Sequence, residues 1–476
     1  MDPLDLVMKV IIKRTTGYGK KVQKNETLPE IEKAAPVTIS GEKYRVGFSK
    51  AEVMPEDFPN TTYYIAGHGS GHVMDGILSP VYVHASWIDC GNEEGILWLS
   101  VDCVGMTRIE INQIRSMIMA SDKIKGCKFI SVSCTHSHSG IDTLGYWGKP
   151  FCSIPSDGKN PAYMKQLMEK AVKVSEEAFA NRKEGKLYFG NIFVEGGLKT
   201  KRKFIDAHEY LSRFRFVPDD GTAETWFMNF GGHPNTLGGG NRKLSGEYPF
   251  FMREIIAEKA GANVLYCIGP VGGMDMADLV EDDPVECVKQ QGVMLAEAAF
   301  KIDNETEMVP EIKYLNQPFY YPVDNYVLAL LATLHRMSFK AYPCETSLTG
   351  ISMCTEMTYM TIGGKKMLFL PGENFVSTVY GPYADAETST TGEGPEINPA
   401  PLAEICGDKD LIVYGVSNDM TGYVVPPNDF VLNKTQPFLN GTHDRFDDNH
   451  YHETNSMGIN SQKVIADTFA DVVKRF

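Results

Sequence analysis

The chain has 476 residues, is 43% hydrophobic and carries a formal net charge of -15. That is apolar sequence enough for a substantial core, and the acidic balance argues against nucleic acid or an anionic membrane face as a partner, since no basic patch of the needed size interrupts it. No apolar run reaches the roughly 18 residues that span a bilayer, which excludes stable insertion by a helix.

In chain order, residues 1 to 43 are polar, charged and without clear period, and are expected to form an N-terminal extension that is loosely attached. Acidic residues precede the short apolar patch of "MDPLDLVMKVIIKRTTGYGKK" and no small-residue cleavage site follows it, so it does not read as a signal peptide. Ten cysteines lie scattered without a Cys-x-x-Cys pair. That usage suits buried thiols in a reducing compartment, and the expectation is a soluble cytoplasmic protein. Its acidic surface is compatible with either a monomer or a dimer.

From residue 44 to 476 short β-rich runs alternate with helical patterns, the texture of one α/β domain with a mixed sheet flanked by helices. Asn160 followed by Pro161, and Asp283 followed by Pro284, are start signals for helices. Several apolar runs stop abruptly at a polar group: "ILWLSVD" at Asp102, "KFISVSCTHSHSG" at His136 and His138, "TWFMNFGGHP" at His233, "NVLYCIGPVGGMD" at Asp275, "KKMLFLPGE" at Glu373, "DLIVYGVSNDMTGY" at Tyr423. Ligands of α/β sheets gather beyond strand ends, so these endings point to one site assembled from the whole chain. Residues 383 to 402, rich in Gly, Pro and Thr, are long enough to form a lid over it, and residues 317 to 339 read as an extended arm followed by a core helix or as a pocket wall.

The His-x-His pair at 136 and 138 is the centre of this reading. Neutral imidazoles are good zinc ligands, and residues two apart on an extended segment project to the same side. A metallo-β-lactamase centre would need Asp-His where Gly140 and Ile141 stand. An amidohydrolase barrel would need further strand-end histidines, and of those after His138, which include His335, only His233 clearly ends a strand. Asp102 is placed either to orient a ligand imidazole or to cap the turn that follows it.

The blocks "THSHSG" (135–140), "GGHPNTLGGGNRKLSGEYP" (231–249), "GPVGGMD" (269–275), "PGE" (371–373), "SNDMTGYVVPPNDF" (417–430) and "YHETNSMG" (451–458) together resemble the neutral/alkaline non-lysosomal ceramidase family, a group of zinc hydrolases, over residues 45 to 455. The resemblance implies a Zn2+ ion held by His136, His233, Glu373 and Tyr423, with His138 beside it contacting water or substrate. It makes Arg202 the equivalent of a substrate-contacting arginine, with Arg242 a second candidate cation. Asp275 falls where the family has a serine, and a carboxylate there suits a general base. The family's C-terminal domain is absent, so a small soluble substrate is expected rather than ceramide. The expected function is zinc-dependent hydrolysis of an amide, ester or lactone, with His138, Asp275, Tyr423 and Arg202 as catalytic residues. The alternative is a zinc-dependent lyase or isomerase working through an enolate on a hydroxylated or keto metabolite.

Overall fold

β-branched and aromatic runs pair into two large mixed sheets, seen in a computed structural model that describes residues 3–150, 156–334 and 339–476. The nine-stranded sheet runs Asn263–Ile268, Thr225–Phe230, Tyr210–Pro218, Lys183–Phe193, Tyr44–Glu52, Tyr82–Asp89, Gly95–Val101, Cys127–Cys134, with Thr306–Glu307 added to the long strand Lys183–Phe193. Its two outermost pairs are parallel and the strands between them antiparallel. The six-stranded sheet runs Val37–Ser40, Glu311–Pro322, Ile351–Ile362, Lys365–Phe369, Ile412–Tyr414, with Tyr342–Pro343 alongside.

The sheets pack face to face. Trp98 and Phe227 of the first meet Phe369 and Tyr414 of the second, the Trp98 ring lying 5.2 and 4.8 Å from the latter two centroids. Helices Arg108–Met119, Pro161–Ala180, Glu247–Ala260 and Pro284–Phe300 cover the outer face of the first sheet, while Tyr326–Thr333, Leu402–Ile405 and Ser461–Arg475 cover the second. The result is four layers, helix, sheet, sheet, helix. Gly95–Val101 is buried at every position, which explains why "ILWLSV" is continuously apolar instead of alternating.

The expected helix starts are present: the Asn160 side chain accepts from the amides of Ala162 and Tyr163, and Asp283 from that of Glu286. The stretch before residue 44 is more tightly held than its composition suggests. Pro3–Asn25 is a helix whose Met8 and Ile11 pack on Leu330, and Val37–Ser40 is an edge strand paired with Glu311–Pro322. The segment from residue 317 divides into the end of a strand and the helix Tyr326–Thr333, as an arm and core helix would; its His335 lies outside the described residues, as does Cys152. All nine cysteines among the described residues are free. Among the described residues no helix is long and apolar enough to cross a membrane.

Candidate metal centre

The site lies beyond one end of both sheets, where the connecting loops are stitched to one another by backbone bonds. The amide of His138 donates to Pro234 O at 2.9 Å, His233 bridges to Asp275, Gly272 bridges to Phe375, and Glu373 pairs with Tyr423, which bridges in turn to Ser456. Each functional side chain is thereby fixed to the next without relying on its own loop. His136 itself adopts a left-handed backbone with φ of 64°, a conformation costing a non-glycine residue about 1–3 kcal/mol and typical of functional sites. Gly67, with φ of 108°, presses against the His138 ring; a Cβ there would lie 2.4 Å from its Cγ, so no side chain fits.

Three imidazoles converge. The Nε2 atoms of His136 and His233 are 2.9 Å apart, those of His138 and His136 3.2 Å, and those of His233 and His138 3.1 Å. Glu373 Oε2 approaches His136 Nε2 at 3.2 Å and His233 Nε2 at 3.6 Å, and all four side chains are buried. Hydrogen bonds among these atoms do not account for the geometry. His136 Nδ1 donates to Val104 O at 2.6 Å and His233 is likewise bonded to the backbone of Val271, which leaves a lone pair on each Nε2. Burial pushes His233 down to about 3 and His138 well below the usual imidazole range, with the neighbouring imidazoles adding to both shifts, so these rings are neutral. Glu373 Oε2 has no hydrogen-bond partner of its own. The Tyr423 hydroxyl bonds to the same carboxyl. Lone pairs and a carboxylate oxygen facing one another at about 3 Å call for a cation between them. Donors about 2.0–2.1 Å from a tetrahedral zinc ion lie roughly 3.3 Å apart, and the observed separations bracket that value. His136, His138 and His233 are the cluster of metal-binding side chains among the described residues, and they can hold a metal ion.

Of the residues singled out in the sequence, His136, His138, His233, Glu373 and Tyr423 therefore come together. His138 stands in the same ring of donor atoms as His136 and His233. Tyr423 reaches the cluster through Glu373: burial, then the Glu373 charge, push its hydroxyl well above the usual phenol range, so it stays protonated and donates to that carboxylate. Asp275 stands one step behind, its Oδ1 accepting from Asn235 Nδ2 at 3.0 Å and its Oδ2 paired with Lys201. Arg202 does not line the cavity. Its guanidinium is buried, bound to Glu453 at 2.9 and 3.0 Å, to Asp429 O and to His452 Nδ1, and it stacks over Phe375. Arg242 is tied to the carbonyls of Gly239 and Asn241. Asp102 meets Arg253 at 2.5 and 2.9 Å and accepts the Tyr82 amide, so it orients no imidazole; Val104 O fills that role for His136. None of residues 383 to 402 lines the cavity, and that loop is instead pinned by Arg445 to the carbonyls of Ser389, Ala386 and Glu387.

The cluster opens into a cavity of about 520 Å³. Its wall includes Leu144, Trp147, Leu328, Met420 and Met457, together with His68, Asn235, Lys201 and Tyr451. His68 and Lys201 have no spacing signal in the sequence. His68 sits in the glycine-bounded turn "AGHGSG", and its ring meets that of His138 at 5.1 Å.

No family model and no curated protein matches the chain. Among solved structures, the neutral ceramidase from Pseudomonas aeruginosa superposes with a TM-score of 0.64 at 14% identity, over 92% of this chain and 75% of that one. A ceramidase complexed with C2 gives a TM-score of 0.63 at 13% identity, over 91% of this chain and 76% of that one. This protein thus has the neutral-ceramidase fold, with a buried three-histidine cluster at its strand ends.

Proposed function

We propose that the protein is a zinc-dependent hydrolase that cleaves a carbonyl bond, an amide in the first instance and an ester or lactone by the same chemistry, in a small substrate other than ceramide. The observation that carries this reading is the convergence of three imidazole nitrogens and an unpartnered carboxylate oxygen at the floor of a substrate-sized cavity. His136, His138, His233 and Glu373 would hold the zinc ion, which when bound would supply a water acidified towards a pKa of about 7 and an electrophile for the substrate carbonyl.

The chain's own groups do the remainder. Tyr423 lines the cavity as a protonated phenol. It can turn its hydroxyl from Glu373 to the oxyanion that forms as water adds to the carbonyl carbon, a stabilisation worth roughly 3–4 kcal/mol for a positioned donor. The carbon–nitrogen or carbon–oxygen bond then breaks, and the leaving group takes the proton that the attacking water released. Val104 O and the Val271 backbone keep His136 and His233 in the tautomer whose Nε2 lone pairs face inward. The enolate alternative calls for a base facing substrate carbon. Asp275, the base the sequence offers for it, is engaged by Lys201 and Asn235 and is absent from the cavity wall.

Elemental mass spectrometry on tag-free protein tests the metal: about one zinc per chain is expected, lost in His233→Ala. Incorporation of oxygen from labelled water into product tests hydrolysis. Zinc content indifferent to His233, or solvent deuterium at carbon in place of labelled oxygen, would sink the reading.

A further inference from the structure

Lys201 is the one lysine or arginine among the described residues that line the cavity. It follows the short strand Leu198–Thr200, which pairs with Met274–Met276, and its own amide donates to Gly273 O at 2.9 Å, so its backbone is fixed beside the metal cluster. Its positive field reaches both His138 and His233. The ammonium has three donors. Among the described residues Asp275 is its single ion-pair partner, and Asp275 is itself held from the other oxygen by Asn235. The Lys201 side chain nevertheless stays 36% exposed and lines the cavity wall, so it is open to a ligand there.

Charge makes the same point. Lys201 and Asp275 cancel and Glu373 adds one negative charge, so a divalent cation held there would leave the site one positive charge in excess for as long as its water stays neutral. The rest of the wall is largely apolar and aromatic, Leu144, Trp147, Leu328, Met420 and Met457 among it, and about 520 Å³ suits a ligand of modest size. A monoanion with an apolar arm complements both features.

We propose that Lys201 is the anion-binding residue of this cavity and that the substrate is a small amide bearing a carboxylate, chemically an N-acyl amino acid. This rests on the hydrolytic reading for the cleaved bond, but the anion site stands on Lys201 alone. The acyl chain lies along the apolar wall and the carboxylate pairs with the Lys201 ammonium.

The test uses the full-length zinc-loaded protein and two matched probes, N-hexanoyl-phenylalanine and its uncharged carboxamide. Wild type is expected to cleave the acid with kcat/KM at least tenfold above the carboxamide. Lys201→Gln is expected to bring the ratio close to one, mostly through KM, and Lys201→Arg to keep it, with metal content and melting temperature checked in each variant. Equal kcat/KM for the two probes in wild type overturns the proposal, and so does a preference for the acid that survives Lys201→Gln, which would place the carboxylate on the metal. If neither probe is hydrolysed, the hydrolytic reading fails for this class, and calorimetry decides the anion site separately. Tighter binding of the acid, abolished by Lys201→Gln, supports it; equal binding of the two probes, or none, overturns it.

Discussion

Asp419 illustrates how one side chain can support the site without lining the cavity. It is buried, its Oδ1 accepts the amides of Arg108 and Met420, and its Oδ2 has no partner. It thus caps the helix Arg108–Met119 from outside, because the helix's own N-cap Thr107 makes no capping bond. Burial pushes the Asp419 carboxyl up to about 7, against the opposing effects of Thr355 and Arg108. An acid whose folded value is raised contributes most stability below its unfolded value, near 4, and loses it as pH climbs through the folded value, because the unfolded chain gives up its proton first. Asp419→Asn keeps the accepting oxygen and removes the charge. Its stability relative to wild type is therefore expected to grow between pH 4 and pH 7 and to level off above, by a total of about 4 kcal/mol. Urea unfolding at several pH values measures this, and a margin independent of pH would contradict it. Neither this role nor that of Lys201 could be read from residue spacing, because both depend on partners far away in the chain. The convergence of His136, His233, Glu373 and Tyr423 was legible for the opposite reason: each ends an apolar run, and runs of that kind become strands whose ends share one crevice.

The elements whose starts carry local chemistry were the readable ones. Asn160 with Pro161 and Asp283 with Pro284 announce their helices within a few residues of sequence. The helix Pro3–Asn25 was hidden, although its buried positions Met8, Ile11, Thr15, Gly19 and Val22 follow helical spacing, because two of the five are not hydrophobic. Gly19 is small for a tertiary reason: a Cβ there would lie 1.8 Å from the Thr349 carbonyl oxygen. The loop that follows His138 is equally tertiary in origin. Asp142 accepts the amides of Leu144, Gly145, Tyr146, Trp147 and Gly158 at 2.8–3.1 Å, folding the segment around one buried carboxylate. Leu144, Tyr146 and Trp147 line the cavity as a result. In Asp142→Asn one acceptor oxygen becomes a donor facing those amides, which leaves buried groups unsatisfied. The expected outcome is a KM raised about tenfold or more with zinc content unchanged, read from steady-state kinetics beside metal analysis. Loss of metal together with affinity would mean that the loop also shapes the ligand cluster.

At the scale of the molecule the candidate site is a joint between two sheets. His136 and His233 follow strands of the nine-stranded sheet, whereas Glu373 and Tyr423 follow strands of the six-stranded one. A mixed sheet with helices around it could be expected from the alternation of runs, but not its division into two face-packed sheets, since the partner of each strand depends on register and not on local composition. The division has a thermodynamic consequence. A cation bound by side chains of both sheets binds the assembled fold and not the unfolded chain, so it stabilises by about 2.7 kcal/mol when free metal stands at 100 times its dissociation constant. Without it, neutral lone pairs and a carboxylate oxygen are left facing one another at 2.9–3.6 Å inside a buried site. Chelator-treated protein is therefore expected to unfold several degrees below the zinc-loaded form, and its midpoint should climb with the logarithm of added zinc. The dependence should vanish in His233→Ala and weaken in Glu373→Gln, which removes the charge contributed by the second sheet. Calorimetric scans with and without metal decide it. Identical melting of the two forms would mean that the cluster does not hold its sheets together through a metal, and the converging imidazoles would need another occupant.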